Sequence, residues 1–268
     1  MLHISTRIVI HLLSISAMLC LGAGCRRDDP QPRLGQTTAV FNPNLTYGTM
    51  TDIDGNEYRT IEIGHQVWMA ENLRVTHYRN GDPIPHMPLS AGQGIFHLQT
   101  QGVYCAYDDT THPDSIATYG LLYNGYAVVD ERGLCPDGWR VPSDEDWTAL
   151  VTHLDNGDNA FDPNGTGTNG VVGGRMKEVG YRHWNAPNPA DNSSGFTALP
   201  SGNRYGDTYY YKNERALFWT STEYYVDTIP DIKGKILWMR GIGSLFPSIG
   251  RQAYPKDAGK SVRCIRND

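Results

Sequence analysis

Glycine and proline punctuate this chain too often for long regular elements. Its 268 residues include 29 Gly and 16 Pro, with 39% hydrophobic residues. That composition predicts short strands and many turns around a core, with few helices. The residues after the first 24 can form one large domain or two small ones.

Local patterns place the elements. Asp54-Gly55 is a hairpin-turn dipeptide. Around it, Tyr58, Thr60 and Glu62 alternate with Ile61, Ile63 and Val67, which predicts a strand hairpin. Asn80 to Gly102 carries Pro83, Pro85 and Pro88 and reads as a long loop. The aromatic and apolar stretch from Tyr119 to Val129 is buried, as either a strand or a short helix. Ser143 followed by Asp144, Glu145 and Asp146 is a cap with acids in the first turn, where the helix dipole favours them. Trp147, Leu150, Val151 and Leu154 then recur at i, i+3, i+4 and i+7, which predicts an amphipathic helix. A polar, Gly-rich loop follows from Asn156 to Gly170, then a shorter helix from Val172 to Val179 closed by Gly180.

The start of the chain reads as an export signal. Arg7 precedes an apolar run from Ile8 to Gly24, broken by His11, Ser14 and Ser16 and shorter than the roughly 20 residues a spanning helix needs. Small residues Gly22, Ala23 and Gly24 lead into Cys25, a pattern that resembles a bacterial lipoprotein signal, with Gly22 where Leu is commoner. The resemblance implies cleavage before Cys25 and its acylation. Arg26, Arg27, Asp28 and Asp29 resemble an export tag of Bacteroidetes-type outer-membrane lipoproteins. The expected organisation is therefore a signal peptide over 1–24, a flexible stalk over 25–47 and one domain over 48–268. The protein would be lipid-anchored in the outer membrane, facing the cell exterior. With Cys20 discarded and Cys25 acylated, Cys105, Cys135 and Cys264 remain. In an oxidising compartment the expected bridge joins Cys135 to Cys264, closing a loop worth about 4 to 5 kcal/mol in the chain-entropy model. Cys105 stays free and buried.

Several function classes lack support. A net charge of −6 argues against a nucleic-acid partner. Asp52, Asp54 and Asn56 suggest a calcium loop, but a strand follows where a distal Glu would be needed. No CxxC or HxxxH spacing offers a metal site, so no metal or cofactor is expected. No GxSxG, HExxH or phosphate-binding Gly loop is present. His153, beside Leu154, reads as a surface or boundary residue. Asp108 and Asp109 are adjacent, so their side chains would diverge on a strand. No catalytic constellation emerges, and the chain is expected not to be an enzyme.

Five ordered motifs carry a family resemblance: WMAENL (Trp68 to Leu73), CPDGWRVPSDEDW (Cys135 to Trp147), SGFTALPSGNR (Ser194 to Arg204), FWTSTEY (Phe218 to Tyr224) and SVRCIRND (Ser261 to Asp268). Together they resemble the Fibrobacter succinogenes major paralogous domain over roughly residues 48–268. The resemblance implies an α+β, C-type lectin-like fold with a small twisted antiparallel sheet, two helices and long loops that carry recognition. The acids of a calcium-dependent lectin are missing: only Trp184-Asn185-Ala186 and Ala186-Pro187-Asn188 come near. The cysteine pair of the related formylglycine-generating enzymes is absent too, with Cys264 alone in the C-terminal region.

What remains is an aromatic-rich stretch between Tyr205 and Trp238. Tyr209, Tyr210, Tyr211, Tyr224, Tyr225 and Arg240 are the candidate binding residues, since Tyr, Trp and Arg give large contact area at low entropic cost. Trp219 and Trp238 read as core. Consecutive strand residues face opposite sides, so some tyrosines must meet solvent or a partner. The expectation is a non-catalytic surface module for an unidentified protein or glycan, using these aromatics and the loop from Arg240 to Gly259. A structural component of an outer-membrane or adhesive assembly, or an extracytoplasmic polysaccharide hydrolase, are the alternatives. For the anchor, metabolic palmitate labelling should mark the wild-type chain and not Cys25→Ser; equal labelling would remove the acylated cysteine.

Overall fold

The computed structural model describes residues 35–89, 96–155, 170–225 and 233–267. The leader, Cys25 and the first part of the expected stalk lie outside them, as does almost all of the expected 156–170 loop.

The Asp54-Gly55 turn forms as its sequence predicts. Asp52 Oδ1 accepts the backbone N–H of Asp54 (3.0 Å) and of Asn56 (2.9 Å), Oδ2 accepts the Tyr58 hydroxyl (2.6 Å), and Gly55 sits at φ 79°. The Asp52 carboxylate is thus occupied by its own turn rather than presented to an ion. On either side run β1 (Gly48–Thr51) and β2 (Glu57–Ile63), and β2 turns again through Gly64 into β3 (Gln66–Met69). The last strand, β13 (Ile265–Arg266), inserts between β3 and β6 (Trp139–Arg140), completing an antiparallel sheet of order β1-β2-β3-β13-β6.

Two further sheets replace the single small sheet the resemblance implied. One holds β11 (Ile249–Pro255), β10 (Ile236–Gly243) and β9 (Arg215–Glu223), in that order. The other holds β4 (Tyr104–Cys105), β5 (Leu122–Asn124), β12 (Gly259–Lys260), β7 (Ser201–Tyr205) and β8 (Thr208–Lys212). The described helices are α1 (Pro113–Tyr119), α2 (Gly125–Val128), α3 (Asp144–Asp155) and α4 (Val172–Met176). The fold is α+β and rich in antiparallel sheet, with more and shorter helices than the expected two. The ambiguous stretch from Tyr119 onward is both alternatives in turn: β5, then α2, with Asn124 Oδ1 accepting the Ala127 N–H as an N-cap (3.0 Å).

Helix α3 buries Trp147, Leu150, Val151 and Leu154, while His153 points to solvent. The Trp147 ring packs 4.9 Å from Trp68 and 5.4 Å from Phe218, with Phe196 edge-on to both Trp147 and Phe218. Strand alternation divides β9 between two cores: Ala216 and Phe218 face α3, whereas Leu217 and Trp219 face a second cluster with Tyr123, Leu237 and Met239. Trp219 is core as expected. Trp238 is only half-buried, because it lies on the other side of β10 from Leu237 and Met239 and instead carries the Arg251 guanidinium 3.5 Å over its ring.

Residues 35–47 differ from a solvated stalk. Phe41, Leu45 and Tyr47 pack on the core around Trp68, the Gln36 N–H donates to Asp114, and the Val40 N–H donates to Glu178 Oε1 at 2.6 Å. Their apolar residues are sparse, yet Phe41, Leu45 and Tyr47 are partly buried against core residues distant in sequence.

The five sequence motifs meet at two adjacent residues. Cys264 is disulfide-bonded to Cys135, as expected, and Cys105 is free and buried. Arg263, fully buried, donates through Nε to Asn72 Oδ1 (2.9 Å), through Nη1 to the carbonyls of Met69 and Phe196, and through Nη2 to the Thr197 carbonyl (2.9 Å). Its guanidinium is stacked 4.2 Å from the Phe196 ring centroid and 5.3 Å from that of Phe218. Burial pulls its pKa below the ordinary value, with the Glu71 carboxylate opposing that shift. Replacing Arg263 by Met strands four acceptors without a donor, each costing about 1–3 kcal/mol. Arg263→Met should therefore lose more than about 3 kcal/mol in denaturant titration; an unchanged midpoint would remove this residue from its structural role.

Candidate functional site

The three-stranded sheet carries a cavity of about 510 Å³ at the end where β9 begins and β10 ends. Its apolar lining includes Leu217 from β9 and Met239 from β10 on one face of the sheet, with Ile242 contributed from the other. Its rim is polar: Asn185, Glu214, Arg215, Ser244, Ser248 and Gln252. One acid and one base stand among these, so the mouth carries no net charge. Leu245 and Phe246 close one side and are 59% and 64% exposed. Size and mixed lining fall within the range of small-ligand sites.

Local backbone chemistry explains the open space. Gly243 faces Arg215 across the β9–β10 ladder, and a Cβ there would meet nothing within 4 Å. A side chain at this position would project into the cavity region rather than strain the strand.

The wall formed by residues 243–248 is held from below by Lys177. Buried at the end of α4, its Nζ donates to the carbonyls of Gly243 (3.1 Å), Phe246 (3.2 Å) and Ser244 (3.5 Å), and lies 5.3 Å over the Trp184 ring. A second tie runs from the Gly174 N–H to the Pro247 carbonyl (2.9 Å). Its hydrogen bonds go to carbonyls alone among the described residues, and burial pushes its pKa from 10.5 down to about 8.

The six sequence-derived binding residues separate. Tyr210 and Tyr211 are exposed, with rings 5.9 Å apart, and the Arg215 guanidinium lies 4.4 Å over Tyr211, which links this pair to the cavity rim. Both reach solvent because Tyr211 lies at φ 63°, breaking the alternation that would have sent neighbouring rings to opposite faces. Opposite it Gly202, at φ 65°, leaves no room for a Cβ, which would sit 2.3 Å from the Tyr210 carbonyl oxygen. Tyr209 is half-buried against Tyr107, its hydroxyl donating to Asp109 Oδ1 at 2.5 Å. Asp108 and Asp109 lie not on a strand but in a turn at φ 52° and 51°, where Asp109 also accepts the Leu89 N–H.

Tyr224 and Tyr225 stand at the opposite end of β9, roughly 25 Å from its start at 3.3 Å per residue. Tyr224 meets Trp238 edge-on, while Tyr225 is exposed. Arg240 is no surface residue. It is fully buried and donates from Nη2 to Asp144 Oδ1 (2.8 Å), while Arg251 pairs with Asp144 Oδ2 (2.6 Å). Arginine's frequency in binding patches suggested the wrong role, because the acid that neutralises it is 96 residues away.

One constellation escaped the sequence reading. Glu178, His183 and Thr38 form a carboxylate–imidazole–hydroxyl series: His183 Nδ1 is 2.8 Å from Glu178 Oε2 and Nε2 is 2.9 Å from Thr38 Oγ1. This is the order of an activated nucleophile. Thr38 Oγ1 continues to Thr118 Oγ1 (3.0 Å), and the series fastens the 35–47 segment to the domain. Only spatial proximity joins these residues; no motif spacing could reveal them.

The family model described as the Fibrobacter succinogenes major domain matches residues 61–266. No curated protein and no solved structure matches the chain.

Lys177 gives the cavity wall a pH signature. The unfolded chain keeps this proton to about pH 10.5 and the native state releases it near 8. Between those values the unfolded state binds more protons, so the desolvation cost of Lys177 is full below about pH 8 and fades as pH rises. Relative to Lys177→Met, the wild type should gain stability from pH 8 to 10, by at most about 1.4 kcal/mol per pH unit. Parallel denaturation curves for the two proteins would show it, and a pH-independent difference would contradict it.

Proposed function

We propose that this chain, which belongs to the Fibrobacter succinogenes major domain family, is an exported, lipid-anchored and non-catalytic module that binds a glycan in the cavity at the start of β9. The observation that carries this reading is the cavity itself: an apolar floor under a polar, charge-balanced rim, with the exposed Tyr210–Tyr211 pair adjoining it through Arg215. Uncharged sugars present apolar ring faces edged by hydroxyls. Leu217 and Met239 suit the faces, and Asn185, Ser244, Ser248 and Gln252 suit the hydroxyls. Tyrosine offers rigid amphipathic area at low conformational cost.

A C-type lectin-like arrangement, with recognition carried by long loops over a small sheet, is the fold proposed for this family member. The cavity wall at 243–248 belongs to the segment between Arg240 and Gly259 singled out in the sequence. Absence of catalysis rests on the Glu178–His183–Thr38 series serving as a fastening, with its hydroxyl engaged by Thr118.

Gly243→Trp separates binding from folding, since the position is open and its backbone conformation is ordinary. On a glycan array and in titrations with the retained sugar, the wild type should bind. Gly243→Trp should weaken binding at least roughly tenfold, about 1.4 kcal/mol, with the thermal midpoint unchanged. A wild-type domain that retains no sugar, or a Gly243→Trp variant that binds as tightly, would reject the reading.

A further inference from the structure

Among the buried polar atoms with no hydrogen-bond partner in the described residues are Lys260 Nζ, Asn203 Oδ1 and Asp257 Oδ1. They belong to neighbouring segments. Gly259 of β12 is paired with Arg204 of β7, so continuing this antiparallel register by one residue brings Lys260 opposite Asn203. Side chains facing each other in this way have Cβ atoms about 4.5–5.5 Å apart, within the reach of a lysine stem. Both project to the same side. Arg204 stacks on Phe96, and a Cβ on Gly259 would point at Phe96 too, so their neighbours Asn203 and Lys260 take the opposite face. There the Lys260 Nζ lies 3.5 Å over the Tyr254 ring and 5.0 Å from that of Trp219, and Tyr205 packs edge-on against Tyr254.

We propose that Lys260 and Asn203 are a self-modification site, at which the two side chains join in an intramolecular amide that staples β12 to β7. The Nζ lone pair of neutral Lys260 adds to Asn203 Cγ. The bond from Cγ to Nδ2 then breaks, and Nδ2 leaves as ammonia with the proton given up by Nζ. Atoms and charges balance without an oxidant, reductant or second substrate.

The surroundings supply what this step needs. Burial lowers the Lys260 pKa to about 7, so a large share of the amine is unprotonated near neutrality. Burial also raises the pKa of the Asp257 carboxyl, which interacts electrostatically with Lys260. Asp257, which interacts electrostatically with Lys260, is the acid we assign to carry the proton from Nζ to Nδ2. Lys260 and Asn203 are 0% and 3% exposed, which keeps competing water away. The product also resolves an otherwise costly arrangement, since an amide nitrogen needs one acceptor where an ammonium needs several.

Peptide mapping of the purified full-length chain, reduced and denatured before digestion, tests this without any ligand and so stands apart from the binding proposal. Wild type should yield one joined peptide containing Asn203 and Lys260, lighter by one ammonia than its two halves. Recovery of the two peptides unlinked, at their sequence masses, would overturn the proposal whatever the variants do. Lys260→Met and Asn203→Ala should each abolish the joined peptide. Asp257→Ala, with its Cys135–Cys264 bridge verified in a parallel non-reduced map, should lower the linked fraction at least tenfold at matched times. Linkage at the wild-type rate would remove Asp257 from the reaction.

Discussion

A buried guanidinium sets the terms for the rest of this molecule. Arg263 is fully buried, so its donors must be met by protein oxygens in fixed directions. Those oxygens come from Met69 at the end of β3 and Asn72 just after it, and from Phe196 and Thr197 before β7. The Phe196 and Phe218 rings complete the box. The next residue, Cys264, binds covalently to Cys135 just before β6. Two consecutive side chains thus hold together segments from both halves of the domain, and the last strand can lie between β3 and β6 only when they are satisfied. Lysine could not substitute, because a compact ammonium lacks the planar fork that addresses four acceptors across two segments.

Other cations are taken inside by different means. Arg240 and Arg251 share Asp144 at the start of α3, so the acid that suits the helix dipole also neutralises the sheet beneath it. Lys177 is held by carbonyls and serves as a strut under the 243–248 wall. Lys260 has aromatic faces and no hydrogen-bond partner among the described residues. A domain with short strands and little regular hydrogen bonding between its loops gains order from such polar anchors, each of which costs stability if one partner is removed.

The cavity follows from the same plan. Three glycines on β10 and β11, Gly241, Gly243 and Gly250, keep side chains out of the space above Leu217 and Met239. The far wall is irregular backbone tied to the domain by Lys177 and Gly174. Rigid floor, anchored wall and exposed aromatic flank come from separate elements, and no contiguous stretch of chain contains them.

Features governed by neighbours in sequence were legible in it. The Asp54-Gly55 hairpin, the capped helix with Trp147, Leu150, Val151 and Leu154 inward, the turn-rich α+β character and the Cys135–Cys264 bridge all follow from local periodicity, turn chemistry or residue arithmetic. Tertiary structure alone decided which charges are buried, because burial depends on partners supplied from far along the chain. Arg240 thereby became a core residue and residues 35–47 became part of the domain, while Tyr210 and Tyr211 came to share one exposed face through a left-handed residue. A hydrogen bond or ion pair between Asp144 and Arg240 has no period and no spacing, so only the fold can write it.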